Sequence, residues 1–312
     1  MTLLVALTWD PGPWIERFRR LLPDRKTVLA GEPFDRRAVH YVATWGPKPG
    51  SLSGLPNLQV IFSLGAGVDH LMGYPDLPDV PIVRVAQDDL TERMSEYVVL
   101  HCLMHLRDQR RYDAQQRDRV WRDDRHPPKA SEVRVGLMGF GVLGQDAARK
   151  LRTMGFDVAG WSRGAKRVEG FPVFASHEVD AFLARTDILV SLLPLTGNTR
   201  GILNRELFQK LPRDGALGGP VLINAGRGGL QVEADILACL DDGTLRAATL
   251  DVFETEPLPD DSALWSHPRV TVTPHNAAVS EPEATARYIV DQIRRFERGE
   301  PLQNVVDPAT GY

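Results

Sequence analysis

The sequence predicts an α/β protein with two doubly wound, parallel sheets. Two observations support this prediction. Short apolar segments typical of buried strands alternate with amphipathic helical segments along most of the chain. One glycine-rich segment, GFGVLG at 139–144, follows a predicted strand and opens a second series of strands and helices. A chain of 312 residues is long enough for about two domains.

The first series occupies roughly the first third of the chain. The predicted strands are 3–7, 40–45, 58–65 and 80–86. Residues 14–22 form a predicted amphipathic helix, with Trp14, Phe18, Leu21 and Leu22 on one side. Residues 91–121 are predicted as one long helix with an apolar first half and a densely charged second half. The segment HPPK at 126–129 then breaks the helical pattern.

The glycine-rich segment has the spacing of a dinucleotide-binding turn. Gly139 permits a tight turn after the strand VRVGLM, Gly141 lets the backbone approach a pyrophosphate, and Gly144 allows close packing of helix on strand. The N-terminus of the following helix offers N–H groups to phosphates. An ordinary glycine-rich turn between strand and helix is the alternative. The pattern predicts that this half of the chain is Rossmann-like.

The second series completes one dinucleotide-binding domain before the last predicted helix, at 281–300. Its predicted strands are 133–138, 157–161, 187–193, 220–225, 247–253 and 270–273. Its predicted helices are 142–154, 177–185, 204–211 and 231–242. We therefore expect the last helix to return to the first unit. The predicted domains are a discontinuous substrate domain, 1–98 plus 282–312, and an inserted dinucleotide-binding domain, 99–281.

Composition and charge exclude several classes of protein. The content of 43% hydrophobic and 25% charged residues is that of a globular protein, and a net charge of −4 argues against a nucleic-acid partner. The two cysteines, Cys102 and Cys239, lie in apolar helical patterns without disulfide or metal-ligand spacing. No signal peptide and no apolar run of about 20 residues is evident. We expect a cytoplasmic protein with no membrane partner and no metal.

Three segments at predicted strand ends carry candidate catalytic groups. NAGRGG (224–229), DVFETEP (251–257) and TPHNAA (273–278) supply Arg227, Glu256 and His275. Ligands bind at this edge of open α/β sheets. Arg227 has a planar donor fork for a carboxylate, His275 can protonate a developing alkoxide, and Glu256 can orient the imidazole and favour its protonated form. Taken singly, each has an ordinary alternative as a loop, turn or solvated residue.

Another glycine-rich turn follows a strand of the first unit. Gly65, Ala66 and Gly67 can turn backbone N–H groups toward an anion. Trp45 ends a neighbouring predicted strand and could wall the same pocket. A plain tight turn and a core tryptophan are the alternatives.

Cofactor choice depends on the end of the second predicted strand of this series, 157–161, which is the first strand after the glycines. NAD-binding domains place an acidic residue about 20 residues past the glycines, where it binds the ribose 2′-hydroxyl. This sequence has Ser162 there, followed by Arg163, Lys166 and Arg167. A basic cluster favours the 2′-phosphate of NADPH, and a solvated basic loop is the alternative.

The chain resembles the D-2-hydroxyacid dehydrogenase family over nearly its whole length. The matching segments are SLGAGVDH (63–70), GFGVLG (139–144), NAGRGG (224–229), LDVFETEPLP (250–259) and TPHNAA (273–278). WSHPRVTVTPH (265–275) and the terminal GY are similar to the glyoxylate/hydroxypyruvate reductase A branch of that family.

The resemblance implies roles for particular residues. Arg227, Glu256 and His275 would be the catalytic set, and the 65–67 turn would bind the substrate carboxylate opposite Arg227. Asp251 would contact the nicotinamide amide. Leu193 and Pro194 would flank the adenine, and the mere end of a strand is the alternative for these two residues. The expected cofactor contacts are Gly139, Gly141, Val142, Leu143, Gly144, Ser162, Arg163, Lys166, Leu193, Pro194, Ala225 and Asp251.

The predicted function is an NADPH-preferring reductase of a small 2-oxo acid, glyoxylate or hydroxypyruvate, with NADH as the second cofactor. Phosphoglycerate dehydrogenase is an alternative within the family. A non-catalytic, nucleotide-sensing corepressor is an alternative from another class. We also expect a homodimer in which Trp121, on the polar arm 107–125, reaches the partner's site. A Trp121 that covers its own domain is the other interpretation.

Overall fold

The computed structural model describes residues 1–74, 76–85, 88–123 and 126–307. The chain divides into two compact units, Met1–Leu90 with Ser280–Tyr312, and Thr91–Val279. The sequence placed the divisions after residues 98 and 281. The terminal GY, residue 86 of one predicted strand and residues 124–125 of the predicted arm lie outside the described residues.

Every strand of the two sheets is short, and the helices vary from one turn to five. In chain order the strands are β1 (Thr2–Leu7), β2 (Lys26–Leu29), β3 (Val39–Trp45), β4 (Val60–Ser63), β5 (Ile82–Arg84), β6 (Arg134–Met138), β7 (Asp157–Trp161), β8 (Val173–Phe174), β9 (Ile188–Ser191), β10 (Val221–Asn224), β11 (Ala247–Leu250) and β12 (Val270–Val272). The α-helices are α1 (Gly12–Leu21), α2 (Asp69–Met72), α3 (Asp88–Leu106), α4 (Gln109–Asp118), α5 (Val142–Thr153), α6 (Val179–Ala184), α7 (Arg205–Phe208), α8 (Glu233–Asp241) and α9 (Pro282–Glu297).

The first unit is a five-stranded sheet in the order β2-β1-β3-β4-β5, with every pair parallel. Both faces are buried, because alternate residues of β1 enter different cores. Leu3 and Val5 face one apolar cluster, and Leu4 and Ala6 face the other. Helix α9 contributes Ile289 and other apolar residues to the first of these clusters. The last helix therefore belongs to the first unit, as the sequence predicts.

The second unit is a seven-stranded parallel sheet in the order β12-β11-β10-β9-β6-β7-β8. Strand β6 lies inside the sheet, and the chain winds away from it in both directions. The order therefore reverses between β6 and β9, and this is where such sheets open a crevice for a ligand. The predicted fold class, two doubly wound parallel sheets with the second inserted in the first, is confirmed.

One predicted element is wrong. The helix predicted at 91–121 is two helices, α3 and α4, because Asp108 between them adopts a positive φ of 52°. Helix α4 has no buried residue. The sequence analysis also did not predict β2 and β8. Strand β2 is a short edge strand of the five-stranded sheet, and β8 is a short edge strand of the seven-stranded sheet. Within the described part of the chain, no helix is both long and apolar enough to cross a bilayer.

Candidate active site

Three neighbouring strands bring the candidate catalytic segments together. Strands β10, β11 and β12 are adjacent and parallel, so their carboxyl ends share one edge of the sheet. The segments 224–229, 251–257 and 273–278 leave those three ends. The second unit thus gathers Arg227, Glu256 and His275 along that edge.

His275 and Glu256 form a hydrogen-bonded pair. The imidazole Nδ1 lies 2.7 Å from Oε2 of Glu256, and both side chains are about one-third exposed. The other carboxylate oxygen, Oε1, accepts the N–H of Phe253 at 3.0 Å. Because Glu256 is held at both oxygens, it fixes the ring of His275 and leaves Nε2 as the nitrogen for a substrate.

The environment keeps Glu256 ionised. Burial acts to raise the pKa of its carboxyl, but the hydrogen bonds from His275 and Phe253 and the charges of His275 and Arg227 outweigh burial. The pKa of Glu256 therefore lies below its ordinary value. A carboxylate held ionised beside an imidazole stabilises the protonated ring that a general acid requires.

The turn that carries His275 is strained and is held by Asp251. His275 has a positive φ of 51°, which is uncommon for a residue with a side chain. Its N–H donates to the carbonyl of Asp251 at 2.8 Å. The Asp251 side chain is 1% exposed and accepts Thr273 Oγ1 at 2.6 Å and the N–H groups of Asn276 and Ala277 at 3.0 Å. Both oxygens of Asp251 therefore serve the turn, and its contact with nicotinamide stays a prediction.

The loop of Arg227 is held by two buried amides. Asn224 Nδ2 donates to the carbonyl of Arg227 at 3.2 Å and to Oε1 of Gln231 at 2.8 Å. Gln231 Nε2 donates to the carbonyl of Val252 at 2.9 Å, which ties this loop to the segment after β11. An ideal Cβ on Gly228 would lie 1.7 Å from the carbonyl oxygen of Phe253. Only glycine permits this approach of the two loops.

The glycine turn after β6 fits a dinucleotide. Gly139 has φ +100°, and an ideal Cβ there would lie 2.8 Å from the carbonyl of Leu192. A Cβ on Gly144 would lie 2.2 Å from the carbonyl oxygen of Gly139, whereas nothing lies within 4 Å of a Cβ on Gly141. Gly141 precedes α5 and gives it no side-chain cap. Gly141 therefore leaves open space beside the N-terminus of α5, where a pyrophosphate would bind.

The residues of the basic segment after β7 make different contacts. Ser162 Oγ donates to the carbonyl of Gly164 at 2.8 Å. Arg163 and Arg167 are exposed, while Lys166 Nζ donates to the carbonyl of Phe140 inside the glycine turn. Burial lowers the pKa of Lys166. Lys166 therefore supports the turn itself, while the side chains of Arg163 and Arg167 are exposed at the end of β7.

The remaining predicted cofactor residues lie at the same sheet edge. Val142, at the start of α5, is 73% exposed, and Leu143 beside it is half-buried. Leu193 and Pro194 follow β9, the neighbour of β6. Ala225 is buried, and its N–H donates to the carbonyl of Ser191 at 3.1 Å.

In the first unit, Trp45 packs directly on the 65–67 turn. An ideal Cβ on Gly65 would lie 2.3 Å from Cζ3 of Trp45, so the ring occupies the space of the missing side chain. The ring of His70 lies 4.5 Å from that of Trp45, centroid to centroid. Trp45 and the 65–67 turn, which were both predicted to line the substrate pocket, are therefore in contact.

His70 also fixes the turn by hydrogen bonds that the sequence did not suggest. The N–H of Gly46 donates to Nδ1 of His70 at 3.2 Å, so Nε2 carries the hydrogen and donates to Ser63 Oγ at 3.2 Å. The Ser63 hydroxyl then donates to the carbonyl of Gly67 at 3.0 Å. The presence of both residues in SLGAGVDH was the available signal.

The sequence also gave no role to Tyr97. Its hydroxyl lies 2.8 Å from Thr273 Oγ1, although the two residues are 176 positions apart. Tyr97 lies in an apolar helix, where its spacing indicates only core packing.

Comparison with known proteins identifies the family. Residues 99–277 match the family described as D-isomer specific 2-hydroxyacid dehydrogenase, NAD binding domain. The chain belongs to this family. The inserted unit of this dehydrogenase is therefore its nucleotide-binding domain.

Solved structures of the family resemble the chain over its whole length. A protein named Probable 2-hydroxyacid dehydrogenase, from Rhizobium etli CFN 42, was solved with NADP, HEPES and L(+)-tartaric acid. It is 52% identical, with a TM-score of 0.92, and the match covers 100% of this chain and 99% of that chain. An NADPH-dependent glyoxylate/hydroxypyruvate reductase from Sinorhizobium meliloti, solved with NADP and sulfate, is 50% identical with the same TM-score of 0.92 and the same coverage, 100% and 99%. A D-isomer specific 2-hydroxyacid dehydrogenase from Xanthobacter autotrophicus Py2, solved with NADPH and MES, is 40% identical, with TM-score 0.92 and coverage of 100% and 99%.

Proposed function

We propose that this dehydrogenase is an NADPH-dependent reductase that converts glyoxylate and hydroxypyruvate to the corresponding 2-hydroxy acids, with D configuration where the product is chiral. The observation that carries the proposal is the His275–Glu256 hydrogen bond of 2.7 Å, beside the loop of Arg227 and on the same sheet as the glycine turn. A nucleotide sensor has no need of a proton donor held by a carboxylate.

Each catalytic group has a defined task in this proposal. Arg227 binds the substrate carboxylate with its planar fork and orients the 2-oxo group. His275, protonated and held by Glu256, donates a proton to the carbonyl oxygen and takes one back in the reverse direction. The nicotinamide cofactor, when bound, supplies the hydride. The glycine turn binds its pyrophosphate, and Asp251 keeps the His275 turn in place.

The preference for NADPH is supported by Ser162 and the exposed arginines Arg163 and Arg167. An acidic residue at position 162 would repel a 2′-phosphate, and a serine does not. Three similar proteins were solved with NADP or NADPH. NADH, which lacks the phosphate, would then be the weaker cofactor.

The choice of substrate is supported by two relatives. The Sinorhizobium meliloti protein is a glyoxylate/hydroxypyruvate reductase, and the Rhizobium etli protein was solved with tartaric acid, a small hydroxy acid. We propose that the 65–67 turn, packed on Trp45, also contacts the substrate carboxylate. Within the described residues, the N–H groups of Ala66 and Gly67 donate no hydrogen bond.

The decisive experiment compares His275→Ala with the parent and with His177→Ala, an exposed histidine outside the site. General acid catalysis contributes about 10²–10⁴-fold, so His275→Ala should lose that factor in kcat and keep its affinity for NADPH. Glyoxylate, hydroxypyruvate, pyruvate and phosphohydroxypyruvate would each be assayed with both cofactors. A parent that turns over none of them would favour the corepressor, and a preference for phosphohydroxypyruvate would favour phosphoglycerate dehydrogenase.

A second experiment tests cofactor choice. Hydrogen bonds to charged groups contribute about 1.5–3 kcal/mol, and solvent exposure brings Arg163 to the low end, about tenfold. Arg163→Ala should raise KM for NADPH by about that factor and leave NADH kinetics unchanged. Ser162→Asp should reverse the preference. Equal use of both cofactors by the parent would refute the proposal.

We also propose a homodimer built on the arm that includes α4. Trp121 is 99% exposed, so it does not cover its own domain, and Val120 beside it is 50% exposed. Apolar side chains on a charged arm are typical of a subunit contact. Sedimentation at assay concentration should give a dimer, and Trp121→Ala should weaken it; a monomeric parent contradicts the proposal.

The two free, buried cysteines support a cytoplasmic location, and no nucleic-acid or membrane partner is proposed.

A further inference from the structure

A chain of hydroxyl groups joins helix α3 to the turn of His275. The hydroxyl of Tyr97 lies 2.8 Å from Oγ1 of Thr273, and Thr273 Oγ1 lies 2.6 Å from Oδ1 of Asp251. Tyr97 is 8% exposed and Asp251 1% exposed, and Thr273 between them is partly buried. The chain therefore connects a core helix to the carboxylate that holds the catalytic turn.

The direction of the chain follows from its chemistry. A carboxylate offers only acceptors, so the single hydroxyl hydrogen of Thr273 points to Asp251. Thr273 Oγ1 must then accept at its lone pair, and Tyr97 is the donor. Removing the Tyr97 hydroxyl would take away the donor to the Thr273 oxygen, and Thr273 would be less firmly oriented toward Asp251.

Asp251 transmits this orientation to His275. Besides Thr273, its oxygens accept the N–H groups of the two residues that follow His275, Asn276 and Ala277, at 3.0 Å. Its own carbonyl accepts the N–H of His275. A strained residue at φ 51° keeps its conformation only while such bonds hold it.

We propose that Tyr97 and Thr273 are positioning residues for His275, acting through Asp251. The inference rests on the proposed role of His275 as the proton donor. Neither hydroxyl needs to touch the substrate or the cofactor.

The surroundings of Tyr97 suit this task. Its ring lies 4.2 Å from that of His101, centroid to centroid, one helical turn away on α3. Burial lowers the pKa of His101 to about 4, so the ring is uncharged at neutral pH. Burial also raises the pKa of the Tyr97 hydroxyl, which therefore stays a donor. The phenol ring is thus held by packing as well as by its hydrogen bond.

The test is a double-mutant cycle of Tyr97→Phe and Thr273→Val. Tyr97→Phe keeps the ring and loses the hydroxyl, and one part-buried hydrogen bond of about 0.5–1.5 kcal/mol predicts a fall in kcat of about twofold to tenfold. KM for NADPH should not change. Thr273→Val should lose at least as much, and Tyr97→Phe should add almost nothing in the Thr273→Val background. Thr273→Ser keeps the hydroxyl and should restore most of the rate.

The pH profile separates positioning from a general loss of stability. If His275 is held less well against Glu256, the rate of reduction should begin to fall at lower pH in Tyr97→Phe than in the parent. A merely less stable enzyme would lose the same fraction at every pH. Tyr288→Phe, which removes a hydroxyl bonded to Asn304 in the first unit, is the matched control.

The outcomes distinguish this inference from the proposed function. If the parent reduces no 2-oxo acid, or His275→Ala keeps its rate, the proposed function fails. If the parent is active and His275→Ala is not, but Tyr97→Phe has the parental kcat and pH profile, the inference alone fails. Additive effects of Tyr97→Phe and Thr273→Val would also overturn it.

Discussion

Gly228→Ala should separate two of the three catalytic loops. An ideal Cβ at this position would lie 1.7 Å from the carbonyl oxygen of Phe253, 2.0 Å from its carbonyl carbon and 2.8 Å from the nitrogen of Glu254. All three are backbone atoms, so no flexible side chain can move aside. Ordinary contact needs about 3.4 Å, and the loops must therefore separate by about 1.7 Å.

The magnitude follows from this geometry. Overpacking costs about 1–3 kcal/mol, and a contact with backbone belongs at the upper end. At about 2–4 °C per kcal/mol for a domain of this size, Tm should fall by about 6–12 °C. The loops carry Arg227 and Glu256, and a misplacement of about 1 Å costs up to about a hundredfold, so kcat should fall by one to two orders of magnitude.

Thermal unfolding and steady-state kinetics on the same preparations would measure both effects. Gly197→Ala is the control, because it lies in the same unit, is exposed and has nothing within 4 Å of an ideal Cβ. Its Tm and kcat should be those of the parent. A Gly228→Ala enzyme with parental Tm and kcat would refute the argument that these loops touch.

Three further predictions concern substitutions at single residues. The pKa of Glu256 is held low in the folded state, so its pair with His275 stabilises the fold above the ordinary pKa of a glutamate and is lost as pH falls. Glu256→Gln should therefore lose less Tm than the parent between about pH 5 and about pH 3 in thermal scans. Lys166→Ala removes a donor to the carbonyl of Phe140 and should raise KM for NADH and NADPH alike; a loss confined to NADPH would mean that Lys166 binds the 2′-phosphate. Gly65→Ala collides with Trp45 and should raise KM for the 2-oxo acid but not for NADPH, and an unchanged KM would remove the turn from the substrate site.

Much of the fold follows from the sequence because buried strands and amphipathic helices have strong periodic patterns. The segment 157–161 was predicted with the bounds of β7, and the other predicted strands overlap observed ones. The failures are local. A charged helical pattern gave no sign that Asp108 would adopt a positive φ, since nothing in its composition forbids a continuous helix. Strand β2 is four residues at a sheet edge, too short for alternation to appear.

The candidate site could be predicted in part. Glu256 and His275 were expected at neighbouring strand ends, and the structure brings them to 2.7 Å. The supporting residues could not be found this way. Tyr97 and Thr273 meet only because α3 packs against the sheet, and no local pattern encodes a contact across 176 positions. The hydrogen bond from Lys166 to the glycine turn likewise depends on how the chain folds back after β7.

The position of α9 bears on the order in which the protein is made and folds. The core of the first unit includes Ala286, Ile289, Val290 and Ile293, and α9 is further tied to the start of the chain by an ion pair of Arg25 with Glu297. A ribosome releases residues 91–279 before it releases α9. Because domains fold as they emerge, the inserted unit can be complete while the first unit still exposes the apolar face of its sheet. During synthesis, that apolar face stays uncovered until α9 packs on it.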